Sequence, residues 1–72
     1  MDEEHEVYMR ELLCVLKMDV VMDVYDFDDH SVWSGPVRKF PWAMTDVEVV
    51  QVDAIGKDTF KIVTDTKESE WK

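Results

Sequence analysis

The stretch VVMDVYDFDDHSVW, at residues 20–33, has the pattern of a β-strand followed by a turn. Apolar and polar residues alternate along its first half, and this period of two is typical of a strand with one buried face. We predict a strand over residues 20–27, with Val20, Met22 and Val24 facing the core. The polar side chains between them then point to the opposite face of the sheet.

The sequence predicts two hairpins, and this strand is the first strand of the first hairpin. The polar residues 28–30 form a turn, and a short strand over residues 31–34 completes the first hairpin. A connector with the sequence VRKFPWAMTD separates it from two further alternating segments, at residues 47–54 and 59–64. The turn sequence IGKD lies between these segments, so we predict that they form the second hairpin.

The N-terminal part of the chain has the pattern of an amphipathic helix. Apolar residues recur at intervals of three and four, which places them on one face of a helix over residues 3–18. Acidic residues near its start and Lys17 near its end complement the helix dipole. The apolar face consists of Met9, Leu12, Leu13 and Leu16.

The order of elements, which is helix, hairpin, connector and hairpin, predicts the architecture. We expect an α+β domain in which the N-terminal helix packs on a small, mostly antiparallel four-stranded sheet. The domain is predicted to span residues 1–66, and residues 67–72 are predicted to form a polar C-terminal tail. A chain of 72 residues is short, and such a chain buries only about 60% of its unfolded surface, so we expect a small core.

The charge of the chain limits the classes of partner that it can bind. There are 8 Lys and Arg residues against 17 Asp and Glu residues, which gives a formal net charge of -9. Direct binding to nucleic acid is unfavourable for such a chain because phosphates attract a positive surface. Anionic membranes are disfavoured for the same reason. The charge therefore favours a basic protein as the partner.

The sequence indicates a cytoplasmic protein. The single cysteine, Cys14, cannot form an internal disulfide, whereas small secreted domains usually depend on disulfides. The first residues, MDEEHE, are acidic, whereas a signal peptide begins with basic residues and continues with an apolar run. No apolar segment of the sequence reaches the about 20 residues that span a bilayer.

An acidic cluster in the first hairpin is the strongest candidate for a binding surface. No Lys or Arg occurs between Met18 and Val37, while aspartates recur through this segment. Carboxylates two residues apart on a strand are separated by about 6.6 Å, so they can present a regular negative array to a protein that normally reads phosphates. The simpler interpretation is a solvated acidic face that keeps the chain soluble. The candidate contacts are Asp23, Asp26, Asp28 and Asp29.

The same cluster fits a metal site or a catalytic site poorly. The spacing Asp26-x-Asp28 matches only the opening of a calcium-binding loop, since the required glycine and closing glutamate are absent from their expected places. A transition metal held by His30 and its acidic neighbours is a weaker alternative. The sequence shows no glycine-rich phosphate loop and no activated nucleophile. We therefore predict no enzymatic activity, no metal and no cofactor.

Tryptophan is frequent for a chain of this length. The three residues are Trp33, Trp42 and Trp71, and a small core does not need all of them. Tryptophan is among the residue types that most often anchor protein interfaces. We predict Trp42 and Trp71 as apolar anchors for a partner, with closure of the core as the alternative role for each ring.

The chain resembles small acidic proteins encoded by phages and prophages of Gram-positive bacteria. The resemblance is carried by the segments LLCVLKMDVVMDVYDFDD, VWSGPV and VVQVDAIGKDTFKIV, and it extends over residues 11–63. It implies a mobile-element setting, in which small acidic proteins often inhibit host proteins that act on nucleic acids, anti-CRISPR proteins among them. The resemblance supplies no functional residues.

These observations predict a non-enzymatic binding protein that inhibits a nucleic-acid-binding host protein by occupying its basic surface, in the manner of a nucleic-acid mimic. The alternative is a structural or regulatory module that works as a homo-oligomer, for example a homodimer. Open strand edges, or the helix face that carries Val7 and Cys14, would then supply the contact between copies.

Overall fold

The structure is a computed structural model that describes residues 7–71. It contains five strands, one α-helix and three short turns of 3-10 helix. The strands are β1 (Val7–Tyr8), β2 (Val21–Tyr25), β3 (Ser31–Pro36), β4 (Glu48–Gly56) and β5 (Thr59–Thr64); the helix is α1 (Met9–Val15); and the 3-10 turns are Val37–Lys39, Trp42–Met44 and Glu68–Trp71. The strands form one mixed sheet with the order β1-β4-β5-β2-β3.

The predicted four-stranded, mostly antiparallel sheet is wrong. The two predicted hairpins exist, since β2 pairs with β3 and β4 pairs with β5, both antiparallel. However, β2 and β5 also pair with each other in parallel, with Val24 beside Ile62, and β1 is added as a fifth strand. Joining the hairpins places their apolar faces in one core, whereas an isolated hairpin leaves its edges and most of its apolar face exposed.

The predicted helix over residues 3–18 is too long. Within the described residues the helix covers only Met9–Val15, and the first predicted helical residues lie outside the described part of the chain. Val7 and Tyr8 instead form a strand that pairs with β4, which suits a β-branched and an aromatic residue. The backbone amide of Tyr8 donates a hydrogen bond to Glu11 Oε1 at 3.1 Å, and this contact fixes where the helix begins.

The helix ends early because the backbone becomes extended at Leu16, where φ is -87° and ψ is 146°. The carbonyl of Lys17 then accepts a hydrogen bond from the amide of Val20 at 3.1 Å, and this turn leads into β2. The predicted apolar face of the helix is confirmed as the face that packs on the core. Its members are Met9, which is fully buried, and Leu12, Leu13 and Leu16, which are partly buried.

The core lies on one face of the sheet. The predicted inward positions Val20, Met22 and Val24 are all buried, which confirms the alternation in the opening stretch. Asp23 lies between Met22 and Val24 and takes the opposite face, as predicted, and Tyr25 lies on that face as well. The other buried apolar residues of the described chain are Met9, Val37, Phe40, Val49 and Ile62.

An aromatic cluster closes one side of this core. Phe40 packs edge-to-face against both Trp33 and Trp71, with ring centroids 5.1 Å and 5.8 Å apart. Such T-shaped contacts are favourable for aromatic rings. The Trp71 Nε1–H group also donates a hydrogen bond to Thr66 Oγ1 at 2.9 Å. Trp71 lies in the segment that was predicted as a polar tail, residues 67–72, and this packing makes it part of the folded unit.

Candidate partner-binding surface

Most of the carboxylates of the described chain lie at one end of the sheet. The directions of β4, β5, β2 and β3 bring the start of β4, the end of β5, the end of β2 and the start of β3 to this same end. The turn after β2, the residues before β4 and the segment after β5 therefore come together. We call this region the acidic end. Its carboxylates belong to Asp26, Asp28, Asp29, Asp46, Glu48, Asp65, Glu68 and Glu70.

The acidic end carries little compensating positive charge. Arg10 forms an ion pair with Asp46 at 2.7 Å, and Lys61 reaches Asp29 at 3.3 Å. Lys67 is exposed at the same end. Ion pairs at the surface contribute only about 0–1 kcal/mol each, and they leave the other carboxylates of this region unbalanced. The acidic end therefore presents a net negative surface.

The opposite end of the sheet has a different balance of charge. The loop before β2, the 3-10 turn after β3 and the turn between β4 and β5 meet there, joined by backbone hydrogen bonds to the start of β2. The charged residues of this end are Lys17, Asp19, Arg38, Lys39, Lys57 and Asp58. Asp19 is already paired with Arg38 at 2.8 Å. The negative charge of the described chain is therefore concentrated at one end of the sheet rather than spread evenly over its surface.

A cleft of about 470 Å³ opens at the acidic end. Its walls are held together by backbone hydrogen bonds from Met9 to Val47 at 2.9 Å and from Asp65 to Glu48 at 3.0 Å. None of the described residues that line it is basic. Negative charge beside apolar surface suits a lysine or arginine side chain, which combines a cationic head with an apolar stem. The lining residues are Tyr8, Ala43, Met44, Asp46, Val47, Glu48, Asp65, Thr66 and Glu70.

Trp42 lies beside this cleft. Its side chain is 84% exposed, and the next two residues, Ala43 and Met44, line the cleft. The backbone here is a fixed 3-10 turn, because the amide of Met44 donates to the carbonyl of Pro41 at 2.9 Å and the hydroxyl of Thr45 donates to the carbonyl of Trp42 at 2.8 Å. An exposed indole on a fixed turn beside a charged cleft is the arrangement expected of an interface anchor.

The other predicted contacts are placed differently by the fold. Asp28 and Asp29 are exposed at the acidic end, together with the carboxylates that the second hairpin and its flanking residues contribute. Asp23 lies on the open face of the sheet, where its Oδ1 atom accepts a hydrogen bond from Ser34 Oγ at 2.7 Å. Trp71 packs in the aromatic cluster, so its ring is engaged within the domain. The structure thus brings Asp28, Asp29 and Trp42 to the acidic end, and it separates Asp23 and Trp71 from them.

Asp26 belongs to the acidic end by position but not by exposure. The residue is only 1% exposed, and its Oδ1 atom accepts hydrogen bonds from the backbone amides of Asp28 at 2.9 Å and His30 at 2.8 Å. Asp29 completes the turn with a positive φ of 67°, a conformation that aspartate tolerates better than most residues. Asp26 therefore shapes the turn that presents Asp28 and Asp29.

Sequence reasoning missed the carboxylates contributed by the second hairpin and its flanks. Glu48 and Asp65 lie at the open end of the predicted second hairpin, so its register was a usable signal for their proximity. Asp46 directly precedes this hairpin and shares that signal. Glu68 had no such signal, because its approach to the first hairpin depends on β2 pairing with β5. The acidic end is thus a product of the sheet topology.

No known protein family, curated protein or solved structure matches this chain. The resemblance to phage and prophage proteins therefore stays a prediction. Among residues 7–71, the structure contains no helix that is long and apolar enough to cross a membrane.

Proposed function

We propose that this chain is a small, cytoplasmic, non-enzymatic binding protein that inhibits a nucleic-acid-binding host protein by occupying its basic surface. The observation that carries the proposal is the concentration of carboxylates at the acidic end, beside the exposed Trp42. An evenly spread charge serves solubility alone. A one-sided distribution also orients the molecule toward a basic surface and accelerates its association with that surface.

The acidic end and Trp42 contribute to binding in different ways. Exposed carboxylates at the rim of an interface mainly raise the association rate and exclude wrong partners. A tryptophan that becomes buried in the interface supplies more of the affinity, on the order of 2 kcal/mol or more for an anchor residue. The cleft beside Trp42 then accepts a lysine or arginine side chain of the partner.

Nucleic-acid mimicry gives the inhibition a mechanism. A protein that binds DNA or RNA makes most of its contacts with the phosphate backbone, and carboxylates at the ends of paired strands supply negative charges at fixed positions. The chain then competes with nucleic acid for the same cationic side chains, so its inhibition weakens as salt concentration rises. The resemblance to phage and prophage proteins supports a bacterial host protein as the target, as with anti-CRISPR proteins.

A capture experiment followed by a displacement assay tests the proposal. The tagged chain is incubated with a nuclease-treated lysate of a Gram-positive host, washed at low or high salt, and the captured proteins are identified by mass spectrometry. A captured protein is then purified, and its binding to labelled DNA or RNA is measured with and without the chain. We expect the chain to displace the nucleic acid at low salt and to lose this ability at high salt.

A matched pair of charge variants makes the experiment specific for the acidic end. Asp28→Lys combined with Asp65→Lys reverses two exposed charges there, and Asp19→Lys combined with Asp58→Lys makes the same change in net charge at the opposite end. We expect the first variant to lose capture and displacement and the second to keep both. If the two variants, both shown to be folded by circular dichroism, behave alike, the acidic end is not the binding surface.

The exposed edge of β4 favours a homo-oligomer as the second candidate. β1 pairs with β4 only at Glu48 and Val49, so among the described strands β5 is the sole neighbour of residues 50–56. Val50 and Ile55 on this segment are 52% and 53% exposed, and an open apolar strand can pair with a second copy. Sedimentation equilibrium over a wide concentration range tests this function. A concentration-dependent dimer would support it, and a monomer at every concentration would exclude it.

A further inference from the structure

Three potential metal ligands from two distant parts of the chain meet at the acidic end. Asp26 and His30 flank the turn after β2, and Glu68 lies in the 3-10 turn after β5. Each offers one ligand atom, and these atoms all lie within 4.8 Å of one another. The backbone amide of Phe27 donates a hydrogen bond to the carbonyl of Thr66 at 2.8 Å, which holds the two segments side by side. The backbone therefore fixes the position of this cluster.

The carboxylate of Asp26 has one oxygen that is not used by the turn. It is almost completely buried, and its Oδ1 atom is occupied by the two amide hydrogen bonds of the turn. Among the described residues, the further polar contact of this carboxylate is from Oδ2 to His30 Nδ1 at 3.6 Å. That distance is too long for a hydrogen bond. Oδ2 is therefore the oxygen of Asp26 that can bind a cation without breaking a hydrogen bond of the turn.

We propose that Asp26, His30 and Glu68 bind a divalent transition-metal ion of the zinc class. Two ligands of a tetrahedral ion, each about 2.1 Å from it, lie roughly 3.4 Å apart, which is close to the 3.6 Å between Asp26 Oδ2 and His30 Nδ1. Glu68 is exposed, and rotation of its side chain closes the remaining distance. Three protein ligands leave one tetrahedral position for water or for a partner's side chain.

The chemistry of the ligands selects among metals. Imidazole suits Zn²⁺, Cu²⁺ and Ni²⁺, whereas Ca²⁺ and Mg²⁺ prefer sites made of oxygen ligands alone. The surrounding carboxylates of the acidic end raise the local concentration of cations. A bound ion would connect the turn after β2 with the 3-10 turn after β5, and it would stabilise the fold because the unfolded chain lacks the assembled site. This role is independent of the proposed partner.

A matched pair of glutamate variants tests the site. Glu68→Gln and Glu70→Gln each remove one negative charge from the same 3-10 turn, but Glu70 is not part of the cluster. Binding of Zn²⁺ is measured by isothermal titration calorimetry at constant pH. We expect the wild-type chain and Glu70→Gln to bind Zn²⁺ with similar affinity and Glu68→Gln to bind at least tenfold more weakly. Equal affinities of the two variants, or no binding by the wild-type chain, would overturn the proposal.

A second pair of variants identifies the histidine. The chain has one other histidine, His5, so His30→Gln and His5→Gln are compared, with circular dichroism as the control for folding. We expect Zn²⁺ to shift the imidazole resonances of His30 in NMR spectra, and we expect His30→Gln alone to lose the binding. Zn²⁺ binding that survives His30→Gln, or that disappears in His5→Gln, would contradict the assignment. An excess of Ca²⁺ is expected to leave bound Zn²⁺ in place.

Discussion

The indole ring of Trp33 covers Gly35, two residues further along β3. A Cβ atom at Gly35 would lie 3.2 Å from two carbons of that ring, which is closer than a comfortable van der Waals contact. The ring cannot simply move away, because its other contacts include the edge-to-face packing with Phe40. Gly35 also has a φ of 159°, a conformation that residues with a side chain rarely adopt. The ring of Trp33 and the backbone conformation therefore both favour glycine at this position.

Replacing Gly35 tests this packing. We expect Gly35→Ala to lower the free energy of unfolding by about 1–3 kcal/mol, as other overpacked sites do. Gly56→Ala is the control, because a Cβ atom there would meet Thr59 Cβ at an ordinary distance of 3.4 Å, so we expect a change of no more than about 1 kcal/mol. Urea denaturation followed by circular dichroism measures both. Equal losses in the two variants would contradict the need for glycine at residue 35.

The turn after β2 is expected to depend on Asp26. Asp26→Ala removes the acceptor of two backbone amide hydrogen bonds, and we expect a loss of about 2–3 kcal/mol in the free energy of unfolding. Asp28→Ala changes a neighbouring exposed carboxylate and should cost no more than about 0.5 kcal/mol. The measurement is urea denaturation in the presence of EDTA, so that bound metal does not contribute. A stable Asp26→Ala variant would show that the turn does not need its carboxylate.

Trp71 is expected to act through its indole N–H group as well as its ring. Trp71→Phe keeps an aromatic ring against Phe40 but removes the hydrogen bond to Thr66, so we expect a loss of about 1 kcal/mol. Trp42→Phe alters an exposed ring and should leave stability unchanged within about 0.5 kcal/mol. Because both variants remove a tryptophan, circular dichroism rather than fluorescence should follow the unfolding. If Trp42→Phe were less stable than Trp71→Phe, Trp42 rather than Trp71 would contribute to the stability of the domain.

Trp42 is instead expected to matter for binding. Trp42→Ala should weaken the complex with the captured partner by about 2 kcal/mol or more, which corresponds to roughly thirtyfold in the dissociation constant. Ile55→Ala removes another exposed apolar side chain, at the opposite end of the sheet, and should leave the affinity unchanged. Surface plasmon resonance on the two folded variants makes the comparison. If the affinity of Trp42→Ala were unchanged, Trp42 would not be an anchor of the interface.

The sequence predicted which residues face the core better than it predicted which strands are neighbours. Alternation correctly identified the inward positions of β2, including Met22 and Val24, because the side-chain period of a strand is a local property. The parallel pairing of β2 with β5 is a non-local property, and the same alternation is compatible with any apolar neighbour. The helix was predicted too long because Val7 and Tyr8 also fit a helical pattern, and their pairing with β4 outweighed it.

For the candidate site, too, the sequence predicted the local properties of residues but not which residues the fold brings together. The acidic character of the first hairpin and the interface potential of Trp42 could be predicted from composition and residue type. The burial of Asp26 could not, because the sequence Asp26-Phe27-Asp28 gives no sign of which carboxylate turns inward to bind the backbone. The approach of Glu68 to His30 was also beyond reach, since it follows from the neighbouring ends of two strands that are far apart in the chain.

The parallel pairing of β2 with β5 determines when, during synthesis of the chain, the sheet can form. Val24 and Ile62 are neighbours in the sheet, yet β3, the connector, β4 and the first half of β5 are synthesised between them. A ribosome must therefore release β5 before the centre of the sheet can close. Pairing across so much chain carries a large entropic cost and slows folding. Until that moment the first hairpin has no strand to cover its flank, so we expect folding as a single late event after synthesis of β5.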